Sequence, residues 1–236
     1  MNGSAWHSFG DSQIGPLHIK LKINNQDAWR AEHFLWGDII ALSDGLGSKD
    51  LSEFGSQAAC DAVIDIAKIW QLTPEIPIEN LLKQHHDIWL KLLVGKDISQ
   101  CACTCLFAIR TQGQVLLAQL GDGIAAGYNK NSTSLFQFDT NEDLFSNQTE
   151  ALGKFFHLED WQYKVLSVDD YDAFYLASDG ISDDIVLEYQ FDFFNQLYKQ
   201  YQGLSEKEIK NDVHKWISQW PVPAHTDDKT LVCLYR

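Results

Sequence analysis

Residues 104–128 read TCLFAIRTQGQVLLAQLGDGIAAGY, and this stretch decides the architecture. Thr104–Arg110, Gln114–Leu120 and Ile124–Tyr128 are short apolar runs of the kind that suits a buried, pleated surface. Gln112-Gly113 and Gly121-Asp122-Gly123 separate them and carry turn chemistry, so the runs are expected to be consecutive strands. Toward the C-terminus, Tyr163–Val168 and Ala173–Ser178 read as strands joined by the acidic turn Asp169-Asp170-Tyr171-Asp172, and Lys229–Tyr235 as a last one. Toward the N-terminus, Ile39–Ser43 is an apolar run that stops at Asp44-Gly45, a buried strand followed by a turn. Leu17–Ile23, LHIKLKI, sets His18, Lys20 and Lys22 against Ile19, Leu21 and Ile23; this period of two predicts a half-buried strand.

Helices fill the gaps. Ala59, Val63, Ile66 and Trp70 recur at helical spacing, with Ser52 as the expected N-cap. Ile78–Val94 predicts a second helix with Leu82, Trp89 and Leu93 on one face, and two more are expected over Ile185–Gln200 and Ser205–Trp220. Asn129–Trp161 is polar and irregular, with one short strand candidate at Leu135–Phe138. Strands and helices do not alternate as in a βαβ series. The class expected is α+β: mostly antiparallel sheets, two of them forming a sandwich, with helices packed outside.

The 236 residues fit one domain, and 45% hydrophobic residues allow a real core. A formal charge of −15 opposes binding to nucleic acid or to an anionic lipid surface. No basic region followed by an apolar run opens the chain and no stretch is long and apolar enough to span a bilayer, so a cytoplasmic protein is expected. Five cysteines, an odd number, argue against a disulfide framework.

The acidic residues have a pattern. Asp27, in Asn-Asn-Gln-Asp, follows LHIKLKI; Asp44 follows IIALS; Asp179 follows FYLAS; Asp227 and Asp228 precede TLVCLY. A carboxylate where a core strand stops is held by rigid backbone and still reaches solvent. Several converging there repel one another, and a hard divalent cation such as Mg²⁺ or Mn²⁺ relieves that repulsion. A single Asp-Gly is a common turn dipeptide; two Ser-Asp-Gly units after strands plus an Asp-Asp pair make a set.

These motifs, in order along nearly the whole chain, resemble the metal-dependent protein phosphatases of the 2C type. Asn24–Asp27 is similar to the family's first acidic motif, and Ala41–Ser48 to its metal-bridging Asp-Gly motif. Ser52–Ser56 fits the start of the following helix, and Cys103-Thr104-Cys105 sits where the family has small residues and threonine. Gln119–Gly123 resembles the central Gly-Asp motif, Leu176–Gly180 with Asp183 the second metal motif, and Asp227–Thr230 the last. His18-Ile19-Lys20 ahead of Gln26-Asp27, with Asp44-Gly45-Leu46-Gly47-Ser48, is closest to the compact bacterial branch.

The resemblance implies an antiparallel β-sandwich flanked by helices on both sides, and hydrolysis of phosphoserine or phosphothreonine by a hydroxide bridging two Mg²⁺ or Mn²⁺ ions. Asp44 would bridge the ions, the Gly45 carbonyl would bind one, Asp179 and Asp227 would complete the other, and Asp27 would act through water. Asp122 and Asp183 would hold waters or a weaker third cation. Lys22, Asp27 and Asp44 are the residues expected to matter most for catalysis. The family usually has arginine five residues before its first aspartate; here Lys22 stands there, a point charge without the bidentate fork, with Lys20 and His18 able to share phosphate binding. Asp228, where asparagine is common, is either an extra ligand or a solvent-facing acid. A flap beside the active site is expected within 129–161. The implied partners are a phosphorylated protein and a cognate serine/threonine kinase.

Other clusters have plainer readings. Cys101, Cys103 and Cys105 share one face of a strand and lack zinc-site spacing, so they are expected to be small core residues. His85 and His86 point apart on a helix and are expected at the surface, one of them packed. Trp36, Trp70 and Trp89 are expected in the core. A catalytically silent binding module and a phosphatase of small phosphomonoesters are the competing functions; the first has no use for the full carboxylate set, whereas the second would share its chemistry.

Overall fold

The computed structural model describes residues 5–138 and 150–236. In chain order these form β1 (His7–Gln13), α1 (Pro16–Leu21), β2 (Ala28–Phe34), β3 (Gly37–Ser43), α2 (Ser52–Leu72), α3 (Ile78–Leu92), β4 (Cys105–Arg110), β5 (Gln114–Leu120), β6 (Ile124–Tyr128), β7 (Phe136–Gln137), β8 (Trp161–Ser167), β9 (Ala173–Ala177), α4 (Asp179–Ser182), α5 (Gln190–Tyr201), α6 (Glu206–Ser218) and β10 (Lys229–Tyr235). Two antiparallel five-stranded sheets result, ordered β1-β10-β9-β6-β7 and β2-β3-β4-β5-β8.

The central strands are apolar on both faces because both faces are covered. In β3, Ile40 and Leu42 join the core between the sheets, with Leu106, Leu117, Phe174, Leu176, Val232 and Leu234. Ile39 and Ala41 face the other way, into a cluster with Val63, Ile66 and Trp70 of α2 and Leu82 and Trp89 of α3. In β10, Leu231, Cys233 and Tyr235 pack on α5 and α6 through Phe194, Tyr198, Val213 and Ile217. The layers run helix, sheet, sheet, helix, the sandwich expected from the sequence. Trp70 and Trp89 are fully buried, and truncating either would cost roughly 3–5 kcal/mol. Trp36 is only half-buried and stacks on Phe34 at 4.9 Å.

Several sequence expectations change. Leu17–Ile23 is not a strand: Pro16, suited to the first helical position, opens α1, and Lys22 closes it. The alternation misled because it is not a burial signal here. Leu17, Ile19, Leu21 and Ile23 are all substantially exposed, and the one buried residue of α1 is His18. His18 and Lys20 therefore do not share a strand face. Asp27 precedes β2 rather than following a strand. The true strands, β1 and β2, carry little apolar alternation; pairing with β10 and β3 along their full lengths orders them. Ser52 does not cap α2. Leu51 holds the cap position, and Ser52 Oγ donates to the Lys49 carbonyl at 3.1 Å. Residues 187–189 form a 3₁₀ turn, so α5 starts later than expected. α6 begins at a full capping box between Ser205 and Glu208.

All five cysteines are free and buried, so Cys101, Cys103 and Cys105 are small core residues as read, but they do not share a strand: only Cys105 lies in β4, with Cys101 and Cys103 ahead of it. The two histidines depart from the surface reading, since His85 and His86 are both buried. His85 Nε2 bonds the Ala59 carbonyl at 3.0 Å and His86 Nε2 the Gly153 carbonyl at 2.8 Å. A helix packed on two sides, by α2 and by the segment at 152–158, buries adjacent positions. Residues 139–149 of the expected flap lie outside the described residues.

Candidate active site

Register brings the aspartates to one end of the sandwich. Ala28 pairs with Ser43, so Asp27 and Asp44 lie side by side at the same end of β2 and β3. Leu231 and Ile124 both pair with Ala177, so Asp227, Asp122 and Asp179 gather at the corresponding end of the other sheet.

Hydrogen bonds tie the two ends together. Asp27 Oδ2 accepts from Ser178 Oγ at 2.9 Å and from Thr230 Oγ1 at 2.6 Å, both from the opposite sheet. The Asp44 backbone is clamped on both sides: its N–H donates to Thr104 Oγ1 at 2.9 Å, and its carbonyl accepts the Thr104 N–H at 2.8 Å. A side chain at Gly180 would collide with the Asp228 carbonyl oxygen, and one at Gly15 with the Asp227 backbone. Only glycine lets α4 and the start of α1 lie this close to residues 227–228.

The charges are poorly compensated. Burial, together with the charge of Asp228, pushes the Asp27 carboxyl up to about 7, although its hydroxyl partners pull the other way. Burial and the charges of Asp27 and Asp179 hold Asp44 well above the usual carboxylate range. Asp179 is raised to about 6, chiefly by burial and then by Asp227, Asp122 and Asp183. Asp183 is raised by burial and by Asp122. Asp27 Oδ1 and Asp179 Oδ1 are buried with no hydrogen-bond partner. Among the described residues, no three His, Cys, Asp or Glu side chains already form a metal cage. Asp44 instead lies between Asp27 and Asp179, two like charges that disfavour its ionised form. Buried, unpartnered carboxylate oxygens in a mutually repelling group are the donor set that hard divalent cations take.

The remaining sequence candidates fall at different places. Gly45 is buried beside Asp44, its N–H on the Gln26 carbonyl at 3.2 Å. Asp122, Asp183 and Asp227 are exposed at the rim, and Asp227 Oδ1 accepts the Asp228 N–H at 2.9 Å. Asp228 is 1% exposed, so it is no solvent-facing acid. Its Oδ1 accepts from Gly15 N at 2.6 Å, and its Oδ2 from His18 Nδ1 at 2.9 Å and Gln26 N at 2.7 Å. Asp228 is thus a strut joining α1, the start of β2 and the start of β10, and the Nδ1 of His18 is engaged there. Lys22 is exposed with φ 59° at the end of α1, and makes no ion pair among the described residues. The roles of Ser178, Thr230 and Thr104 in holding Asp27 and Asp44 were not legible as roles; their adjacency to the acidic motifs was the available signal.

Residues 14–219 match the family profile described as Protein phosphatase 2C. No curated protein matches the chain significantly. Among solved structures, the chain is similar to the serine/threonine phosphatase Stp1 from Staphylococcus aureus, with 15% identity, a TM-score of 0.68, and 99% of this chain and 96% of that one covered. It is similar to the catalytic domain of the serine/threonine protein phosphatase PstP in complex with two manganese ions, with 15% identity, a TM-score of 0.66, and 98% and 97% covered. It is also similar to the photosystem II phosphatase PBCP, with 14% identity, a TM-score of 0.67, and 98% and 99% covered.

Proposed function

This chain belongs to the protein phosphatase 2C family, and on that premise we propose that it hydrolyses phosphoserine or phosphothreonine in proteins with the aid of two Mg²⁺ or Mn²⁺ ions. The observation that carries the reading is the meeting of Asp27 and Asp44 from one sheet with Asp179 and Asp227 from the other, with no cationic side chain among the described residues ion-paired to any of the four. Asp44, the Gly45 carbonyl, Asp179 and Asp227 would hold the ions, Asp27 would act through water, and Asp122 and Asp183 at the rim would hold a third. Bound divalent ions supply Lewis acidity toward phosphoryl oxygens and make water a stronger acid.

The chain's own groups supply position. Ser178 and Thr230 fix Asp27 Oδ2 and leave Oδ1 as an acceptor. Thr104 fixes the backbone from which Asp44 projects. Asp228 and His18 fix the approach of α1, and Lys22 at its exposed end would meet the substrate phosphate as a point charge. The shared core between the sheets supports one catalytic domain. A serine/threonine kinase supplies the phosphorylated substrate. Among the described residues no helix is long and apolar enough to cross a membrane; with five free, buried thiols, a cytoplasmic setting fits.

Mn²⁺-dependent hydrolysis of a phosphothreonine peptide by the wild type, beside Asp44→Ala and Asp179→Ala, tests this. Activity that needs Mn²⁺ and vanishes in both variants is expected. A folded wild type that cleaves only a small phosphomonoester would move the substrate to that class. Inactivity on both would favour a silent binding module.

A further inference from the structure

On the helical face beyond the β1-β10-β9-β6-β7 sheet, the turn after α4, α5 and the end of α6 border an open groove of about 680 Å³. Tyr189, Phe193, Trp216 and Trp220 give it aromatic walls. The Trp216 and Trp220 rings lie 5.7 Å apart, and Phe193 meets Trp216 edge-on at 6.1 Å. Both indole N–H groups are spent inside the protein, Trp220 Nε1 on Asp184 Oδ2 at 2.6 Å and Trp216 Nε1 on Tyr201 Oη at 2.9 Å. The rings are therefore pre-oriented and offer faces rather than donors. Among the described residues, the charged ones lining the groove are Asp184 and Asp192, both negative. One ring already accepts a cation: Lys229 Nζ lies 5.4 Å from the Trp220 ring centroid.

Aromatic faces with acidic edges and no cationic lining residue select a cation on an apolar stem, the chemistry of arginine or lysine next to an apolar residue. The pocket is joined to the catalytic end of the fold. Asp184 directly follows Asp183, and its Oδ2 lies 3.8 Å from Nζ of Lys229, two residues after Asp227. We propose that this groove is a docking site for a basic, apolar segment of the phosphoprotein substrate, set apart from the phosphorylated residue itself. The proposal rests on the phosphatase reading above; the chain's −15 charge makes a basic partner the complementary one.

The test compares kcat/KM for a phosphothreonine peptide with no extension against the same peptide carrying Arg-Leu-Arg or Glu-Leu-Glu, placed on either side at a series of spacings. Binding of the labelled, unphosphorylated peptides is read by fluorescence anisotropy alongside. The Arg-Leu-Arg peptide is expected to gain roughly tenfold in kcat/KM at its best spacing, through KM. That ratio should collapse toward one in Asp192→Lys and in Tyr189→Ala, and persist in Asp65→Lys, which makes the same charge change on the exposed face of α2. Equal turnover of all peptides at every spacing would overturn the docking site and leave the phosphatase standing. A gain lost equally in Asp65→Lys would reduce it to general charge attraction. If no peptide is hydrolysed, the phosphatase reading fails, and the anisotropy ratios between wild type and Asp192→Lys still decide the pocket.

Discussion

His18 Nδ1 lies 2.9 Å from Asp228 Oδ2, and this contact fastens helix α1 to the segment that leads into β10 and carries Asp227. Asp228 also accepts from Gly15 N and Gln26 N, so one buried carboxylate holds three segments. Asp228→Ala is expected to cost about 3–5 kcal/mol in chemical denaturation, because it strands three buried donors. His18→Ala, which leaves two donors on Asp228, should cost about 1–3 kcal/mol. By loosening the support behind Asp227 and Asp27, it should also weaken Mn²⁺ binding by roughly tenfold or more. Unchanged Mn²⁺ affinity in a folded His18→Ala would leave this contact a purely local one.

Asp44 and Asp179 set stability against function. Each is held among like charges and raised by burial. Asp44→Asn and Asp179→Asn should therefore unfold later than the wild type without metal, by about 1–2 kcal/mol. Activity should fall about a thousandfold. Metal-free thermal melts beside Mn²⁺-supported turnover check both signs, and a destabilised Asp44→Asn would count against the repulsion described here.

The pH dependence follows from the same groups. In the fold Asp27 ionises near 7 and Asp179 near 6, whereas in the unfolded chain both ionise near 4. Below about pH 4 both states hold these protons. Between there and about pH 7 the unfolded chain releases them and the fold does not, so metal-free stability falls as pH rises through that window. Cation binding needs the ionised carboxylates, so Mn²⁺ should stabilise more at pH 7.5 than at 5.5. At a hundred times its Kd this is about 2.7 kcal/mol, a rise in Tm of roughly 5–11 °C for a chain of this size. A metal-free Tm that climbs from pH 5 to 7 would refute the assignment.

Lys22 closes α1 in the left-handed conformation, its N–H bonded to the Ile19 carbonyl at 3.2 Å and the Ile23 N–H to the His18 carbonyl at 3.0 Å. Glycine suits that position better by about 1 kcal/mol. Lys22→Gly should raise Tm by roughly 2–4 °C while raising KM for a phosphopeptide, and Lys22→Arg should lower KM by restoring a bidentate grip. If KM is the same in all three proteins, Lys22 has no part in phosphate binding.

Much of the architecture was legible because the central strands are covered on both faces. Runs such as Ile39–Leu42 and Leu231–Tyr235 are continuous and mostly apolar, and turn residues lie near their ends. Asp44, Asp179 and Asp227 were legible because each borders such a run, whereas Asp27 was picked out beside a run that is the exposed helix α1. His7–Gln13 and Ala28–Phe34 were not legible, since they become strands by pairing with β10 and β3 rather than by a pattern of their own. Leu17–Ile23 shows the converse: a clean alternation whose apolar side chains face solvent. His85 and His86 were misplaced because a helix with neighbours on two sides buries adjacent residues, which a one-face reading does not allow.

The sequence by itself determined the composition of the layers and the identity of the acidic residues, because burial periodicity and turn chemistry act over a few neighbours. Only the tertiary structure decided what each acid does. Asp227 and Asp228 are adjacent in the chain, yet one is exposed at the rim and the other is 1% exposed beneath it, accepting three hydrogen bonds. Whether a carboxylate is open to a cation or satisfied by donors depends on groups more than two hundred residues away, and on the close approach that Gly15 permits. No local pattern carries that information.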